Sequence, residues 1–230
     1  MGTNQQLDDP PPLTPAVEDY VKAIYVLEGS GEAASTNGLA ARLDVTPAAV
    51  SGMLRKLAGL GLVEHEPYRG VRLTDRGRLV ALEVIRHHRL LELFLVESLG
   101  MGWDEVHAEA EVLEHVLSED LEELIAAKLG HPTLDPHGDP IPSRELAIAE
   151  DAGSCDLYQL EPGDSGTFVR VSDADAEMLR FLTGRGIRPG ARLEVLERQP
   201  FDGPLSVRVG KQVHVLGAVL SRAIRVQTPP

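Results

Sequence analysis

The sequence predicts a mostly α-helical chain that ends in a small β domain, and three observations carry that prediction. Apolar residues recur at three- and four-residue spacing through most of residues 13–129, as on helices with one buried face. Residues 62–74 interrupt that period with two short runs around Pro67-Tyr68-Arg69-Gly70, which reads as a hairpin. From residue 157 onward, glycines at 163, 166, 190, 203 and 210 punctuate short β-branched runs, the pattern of a small β-barrel.

Each element follows in order. Residues 1–12 end in three prolines and read as a tail, without the basic and apolar regions of a secretory signal. Thr14 is placed to cap a first helix, with Pro15 at its first position and Val17, Tyr20, Val21, Ile24 and Leu27 on its inner face. Residues 36–43 form a short second helix. Thr46 caps a third, with Pro47 first, Val50, Met53, Leu54 and Leu57 inward, and Gly59 and Gly61 at its end. Strands at 62–66 and 71–74 complete the winged helix-turn-helix order. A long helix is expected over 75–99, a second from a cap at Asp104 to about 117, and a third over 118–129. Four prolines make 131–143 an extended connection, and 144–156 reads as a short helix and linker. Strands are expected at 157–171, 191–197, 205–209 and 223–226, with a helix at 174–182. The domains are therefore 13–80, 81–143 and 157–228, with 144–156 between the last two.

Composition excludes several classes. No run of 18 apolar residues exists, so no membrane span is expected. The single cysteine, Cys155, can form neither an internal disulfide nor a thiolate zinc cage, and a reducing compartment, the cytoplasm, fits. The net charge of −14 is uneven. Residues 1–80 hold 8 basic and 10 acidic residues, 81–160 hold 4 and 18, and 161–230 hold 10 and 8. Residues 42–78 alone carry 7 basic against 4 acidic, and such a local surface can bind phosphates because salt confines its field to about 10 Å. Six histidines fall between 87 and 137, in the acidic middle, and acid with histidine is a composition that binds cations.

Two motifs carry chemistry. The outer face of the third helix offers Thr46, Ala48, Ser51, Gly52, Arg55 and Lys56, and the wing offers Tyr68, Arg69 and Arg72. Small and hydroxylic residues let a helix approach base edges, and Arg or Lys neutralises phosphates, so double-stranded DNA is the expected partner. The alternative is a winged helix used for protein contact. Second, His88 and Glu92 stand four apart, and His107, Glu111, Glu114 and His115 line one stripe of the next helix. Two such helices can enclose one or two divalent ions. The alternative is a solvated acidic helix.

Together these stretches resemble the diphtheria-toxin-repressor family of metal-dependent transcriptional regulators, over about residues 14–226. The resemblance rests on VEDYVKAIYVLE at 17–28, the helix-turn-helix at 36–78, HHRLLELFLVESLGM at 87–101 and VHAEAEVLEHVLSEDLEELI at 106–125. Residues 179–210 are similar to the SH3-like module of ferrous-transport A proteins. The resemblance implies a helical dimerisation domain, an SH3-like barrel, and a homodimer on a palindromic operator that represses metal-uptake genes when metal is bound. It implies one metal site at Asp19, Glu111, Glu114 and His115 and an ancillary site at His88, Glu92 and His107. Iron-responsive members have Met and Cys where this chain has Asp19 and Glu111, whereas manganese-responsive members have Asp and Glu. Oxygen ligands suit Mn²⁺, so Mn²⁺ is the expected cofactor and Fe²⁺ the alternative. Lys22 stands where short manganese sensors carry a Glu, which argues for two separated sites rather than a bridged pair. In some members the SH3-like module adds side chains to the metal site, and Asp173, Asp175 and Glu177 lie in about that place; the preferred reading of this acidic turn is solvated and helix-capping. A metal-dependent hydrolase is a further alternative, but no nucleophile or general base remains outside these ligands, so no enzyme is expected. A regulator with a vestigial metal site is the last.

Overall fold

The computed structural model describes residues 13–29, 31, 34–66, 70–149, 153–173 and 175–229. The chain divides into two compact units after Val84, inside a long helix.

In the first unit, α1 (Pro15–Gly29), α2 (Thr36–Leu43) and α3 (Pro47–Gly59) surround a core of Val17, Val21, Ile24, Leu39, Val50, Leu57 and Leu62, each at most 1% exposed. Most expected inward positions are buried, with Met53 and Leu54 half-buried at the edge, because each short helix has one apolar stripe to cover. Thr46 caps α3 as expected, its hydroxyl accepting from Ala49 N at 3.2 Å. Ser35 does the same for α2, and Asp44 turns the chain in a left-handed conformation (φ 52°). Antiparallel β1 (Val63–Glu66) and β2 (Gly70–Leu73) form the hairpin. Gly70 has φ 93°, and a Cβ there would stand 2.4 Å from the Ala34 carbonyl oxygen, so only glycine fits. Glu28 ties the hairpin to α1, accepting from Leu73 N at 2.8 Å and pairing with Arg78 at 2.9 Å.

α4 (Asp75–Leu99) has the expected extent. The second unit comprises its C-terminal part, α5 (Val106–Leu113), α6 (Glu119–Lys128) and a six-stranded antiparallel sheet. Its strands are β3 (Cys155–Asp156), β4 (Ser165–Val171), β5 (Arg192–Arg198), β6 (Leu205–Val209), β7 (Gln212–Leu216) and β8 (Ile224–Gln227). α7 (Ala176–Thr183) follows β4, and α8 (Ala218–Ala223) precedes β8. The order β3-β8-β4-β5-β6-β7 leaves β3 and β7 at the edges. The expected closed barrel is therefore an open sheet among the described residues, and the chain is mixed α and β.

Other expectations are corrected. α5 is shorter than 104–117, and Glu105, not Asp104, sits at its N-cap without a side-chain cap bond. The helix expected within 144–156 is a turn, in which Ser143 N donates to Ala147 O at 2.7 Å and Leu146 takes φ 57°. The strand expected over 157–171 is split by a 3₁₀ turn (Leu157–Gln159) and Pro162-Gly163, so the long strand there is only β4. β7 and α8 fall outside every expected element.

Candidate metal centre and nucleic-acid interface

α3 presents the predicted polar face. Thr46, Ala48, Ser51, Gly52, Arg55 and Lys56 are all exposed, as is Arg72 on β2. Ser51 Oγ donates to Pro47 O at 2.9 Å, and Arg55 Nε donates to Ser51 O at 3.2 Å, so both side chains start along the helix axis. Nothing lies within 4 Å of a Cβ built on Gly52, so this glycine answers no packing need. Arg69 and Tyr68 lie outside the described residues.

The buried chemistry lies in the second unit. One turn of α4 puts His88 and Glu92 on one side, with His88 Nε2 3.2 Å from Glu92 Oε1. α5 brings His107 Nδ1 to 3.5 Å from that oxygen and 3.2 Å from His88 Nε2. The turn after β4 brings Asp173 Oδ2 to 3.1 Å from His107 Nδ1 and 3.7 Å from His88 Nε2. One ligand atom from each of these four residues lies within 4.8 Å of every other, a spacing that suits one divalent ion. The three acids at 173–177 thus part company. Asp175 caps α7, accepting from Glu177 N and Met178 N, and Glu177 is exposed, whereas Asp173 faces two imidazoles. The solvated reading fails for Asp173 because its contacts come from residues 66 and 85 positions earlier, which no local pattern reveals.

Sequence reasoning also missed Asp135 and His137. His137 has no exposure, and its Nδ1 stands 3.6 Å from Glu92 Oε2. Its Nε2 donates to the Trp103 carbonyl at 2.7 Å, which leaves Nδ1 to face the carboxylate. Asp135 Oδ1 accepts from His137 N and Asp139 N. The signal was Asp135-Pro136-His137-Gly138-Asp139, hidden in a stretch read as plain connection.

The remaining predicted ligands sit around this centre. Glu114 is buried and its Oε2 is 2.5 Å from His88 Nδ1, so His88 touches both groups that the sequence kept apart. Glu111 is exposed, with Oε1 3.8 Å from His107 Nε2. His115 Nε2 is 3.6 Å from Glu114 Oε1. Asp19 lies on α1 in the first unit.

The electrostatics fit a cation. Among the described residues, neither Glu92 oxygen has a hydrogen-bond partner, nor does His137 Nδ1, although all three are buried. A carboxylate with no exposure is costly unless positive charge compensates it. Burial works to raise the Glu92 pKa, but His107, His137 and His88 outweigh it and hold the carboxyl well below the usual range. Asp173, aided chiefly by His107 against its own burial, is likewise held low. Asp173 and then Glu92 push His107 up to about 9. Burial opposes charge on His137, yet Glu92, Asp135 and the Trp103 carbonyl push it up to about 9. Burial, with Asp139 and Glu92 nearby, pushes Asp135 up to about 7. Protons on imidazole thus supply the positive charge these carboxylates require, and a divalent ion can take that place.

Known proteins match this chain over most of its length. Residues 12–71 match the family described as iron dependent repressor, N-terminal DNA binding domain. Residues 74–143 match iron dependent repressor, metal binding and dimerisation domain, and 155–228 match the FeoA domain. The iron-dependent repressor IdeR of Mycobacterium tuberculosis (strain ATCC 25618 / H37Rv) is 34% identical over 226 residues, covering 94% of this chain and 98% of the relative. The diphtheria toxin repressor of Corynebacterium diphtheriae (strain ATCC 700971 / NCTC 13129 / Biotype gravis) is 28% identical over 225 residues, covering 94% and 98%. Among solved structures, a manganese-dependent transcriptional repressor in complex with manganese has a TM-score of 0.86 at 44% identity, covering 93% of this chain and all of that one. The manganese regulator SloR has a TM-score of 0.78 at 30% identity, covering 94% and 100%.

Proposed function

Because the chain belongs to the iron-dependent, or diphtheria toxin, repressor family of metal-dependent DNA-binding transcriptional repressors, we propose that it is a manganese-responsive member. It is not an enzyme. Its family binds operator DNA and dimerises through the domain at 74–143. No helix among the described residues is long and apolar enough to cross a membrane. We place it in the cytoplasm, and we read the operator as palindromic and its targets as metal-uptake genes.

The observation that carries the manganese reading is the donor set. His88, Glu92, His107 and Asp173 offer imidazole nitrogen and carboxylate oxygen, with no thiolate. The two carboxylates suit Mn²⁺ and the absence of a thiolate removes the donor that most favours softer ions, while the two imidazoles serve Fe²⁺ as well. The solved relatives named for manganese support the manganese reading. Asp19, Glu111, Glu114 and His115 are proposed, on the sequence argument, as a separate ligand set. Asp135 and His137 offer Glu92 an alternative pair of donors.

When bound, the ion would supply to these carboxylates the positive charge that imidazole protons otherwise provide. The rest is done by the chain. Glu92 is held by α4 with no solvent exposure, and Asp173 closes the centre from the sheet. His88 links the centre to Glu114 through its second nitrogen. Thr46, Ala48, Ser51 and Gly52 lead α3 toward base edges, and Arg55, Lys56, Arg69 and Arg72 meet phosphates. The C-terminal sheet is read as an SH3-like module that lends Asp173. Iron is the second reading, favoured by the iron-dependent relatives at 34% identity.

Selection of bound fragments from genomic DNA, run anaerobically with EDTA, Mn²⁺ or Fe²⁺, tests the proposal. A palindromic site recovered with Mn²⁺ and lost in EDTA supports it. Preference for Fe²⁺ gives the second reading, and equal recovery in EDTA overturns both. Glu111→Ala is expected to abolish the Mn²⁺ response while the protein stays folded.

A further inference from the structure

We propose that Trp103 is a positioning residue that seats the C-terminal sheet on the helical region and so holds Asp173 at the metal centre. The proposal rests on the reading of His88, Glu92, His107 and Asp173 as a metal site.

Trp103 lies in the loop between α4 and α5, far in sequence from the sheet. Yet its ring is 2% exposed and belongs to the sheet's apolar core, together with Phe168, Leu179 and Leu182. Its indole Nε1 donates to Thr183 Oγ1 at the end of α7 at 2.5 Å. The opposite side of the seat is His137, stacked on the indole with ring centroids 5.5 Å apart and planes 20° off parallel. Trp103 also accepts a hydrogen bond from His137 through its own carbonyl. One side chain is thus clasped by both partners, the sheet module and the proline-rich segment.

That segment in turn grips β4 close to Asp173. The His137 carbonyl accepts from Val171 N at 3.0 Å, two residues before Asp173. Gly138 takes φ 89°, and a Cβ there would stand 1.8 Å from the Val169 carbonyl oxygen, so only glycine permits this approach. Asp139 sits between Arg89 of α4 at 3.5 Å and Arg170 of β4 at 3.6 Å. Trp103, Thr183, Gly138, Val171, Asp139, Arg89 and Arg170 contribute no atom to the four-residue centre. Of the seat, only His137 touches the centre, with Nδ1 3.6 Å from Glu92 Oε2; the rest is packing and ion pairs outside it. Asp173 is brought to within reach of His107 by packing, and the ion meets a site already formed, which raises its affinity by removing an ordering cost.

Trp103 is the single tryptophan of the chain, so the unmodified protein reports its own seat. In the full-length protein with EDTA, its emission is expected to be blue-shifted and shielded from iodide. Addition of Mn²⁺ should leave iodide access nearly unchanged. Full iodide access in EDTA, with shielding only after Mn²⁺, overturns the proposal. Gly138→Ala and Trp103→Ala are then titrated with Mn²⁺ by electron paramagnetic resonance, with circular dichroism as the check on folding. Each is expected to weaken one class of Mn²⁺ site by about 10- to 100-fold, the usual effect of losing a supporting residue, and to leave any other class as in the parent. Trp103→Phe, which keeps the ring, should recover most of the loss. Unchanged Mn²⁺ binding in folded Gly138→Ala and Trp103→Ala overturns the proposal. A parent that binds no Mn²⁺ overturns the metal reading instead, and the iodide result still decides the seat.

Discussion

On α3, Arg55 and Lys56 stand in water on a helix that would fold without them; at Glu92, a carboxylate with no exposure is enclosed by three imidazoles from three different segments. The first region keeps its charges solvated, so they are available to a partner and contribute little to the fold. The second removes charge from water, so every member depends on the others. Function and stability are therefore separable on α3 and coupled at the centre. Gly52 and Gly138 show the same contrast in the backbone. Space around Gly52 is open, whereas Gly138 is required by a carbonyl oxygen.

The largest effect should come from Glu92→Gln, which keeps the shape and removes the charge. It should weaken Mn²⁺ binding at this centre by about 100-fold or more, read by metal titration. It should also change the pH response of the metal-free protein. His107 and His137 have folded pKa values pushed up to about 9 from an ordinary 6.5. A raised pKa means that the folded state binds the proton more tightly. The stabilisation is then complete below pH 6.5 and is lost as pH rises through about 9. Metal-free parent should thus melt at lower temperature at pH 10 than at pH 7, and Glu92→Gln should shrink that difference. Mn²⁺ affinity should rise over the same range, because binding displaces those protons. Equal melting temperatures at the two pH values in the parent would count against the buried pairing.

Next come Arg55→Ala and Lys56→Ala. Each should weaken operator binding and lower the salt slope of the DNA affinity by about 1. Thermal stability should stay within about 0.5 kcal/mol of the parent. A large fall in stability would erase the separation seen on α3. The smallest and sharpest test is Gly52→Ala. It should stabilise α3 by about 1 kcal/mol, since alanine is the better helix former and the space is free. DNA binding should nevertheless fall a few-fold, if the bare backbone there is what approaches the duplex. Unchanged DNA binding would remove Gly52 from the interface.

The winged helix was legible almost residue by residue. Its caps, turns and apolar stripes are local, and Thr46, Pro47, Val50 and Leu57 do in the fold what their spacing announces. The α4 side of the centre was legible for the same reason, since His88 and Glu92 share one helical turn. Asp135 and His137 were not, and Asp173 could not be told from the two acids beside it. Their neighbours are brought in by the docking of β4 and of a proline-rich segment, and neither has a period to read. Asp173 and Asp175 make the point in three residues: one completes the centre and the other caps a helix, with no difference in residue type.

Residue order alone carries the family resemblance, the helix-turn-helix with its basic face, the helical ligand pairs and a donor set without thiolate. Those are properties of residue identity and of spacing along single helices. Packing in three dimensions leaves the terminal sheet open, turns Asp173 to His107, and puts Trp103 in the core of a module that begins more than 50 residues later. Burial and electrostatic compensation act through space, and which carboxylate must find a positive partner is fixed only when packing has taken it out of water.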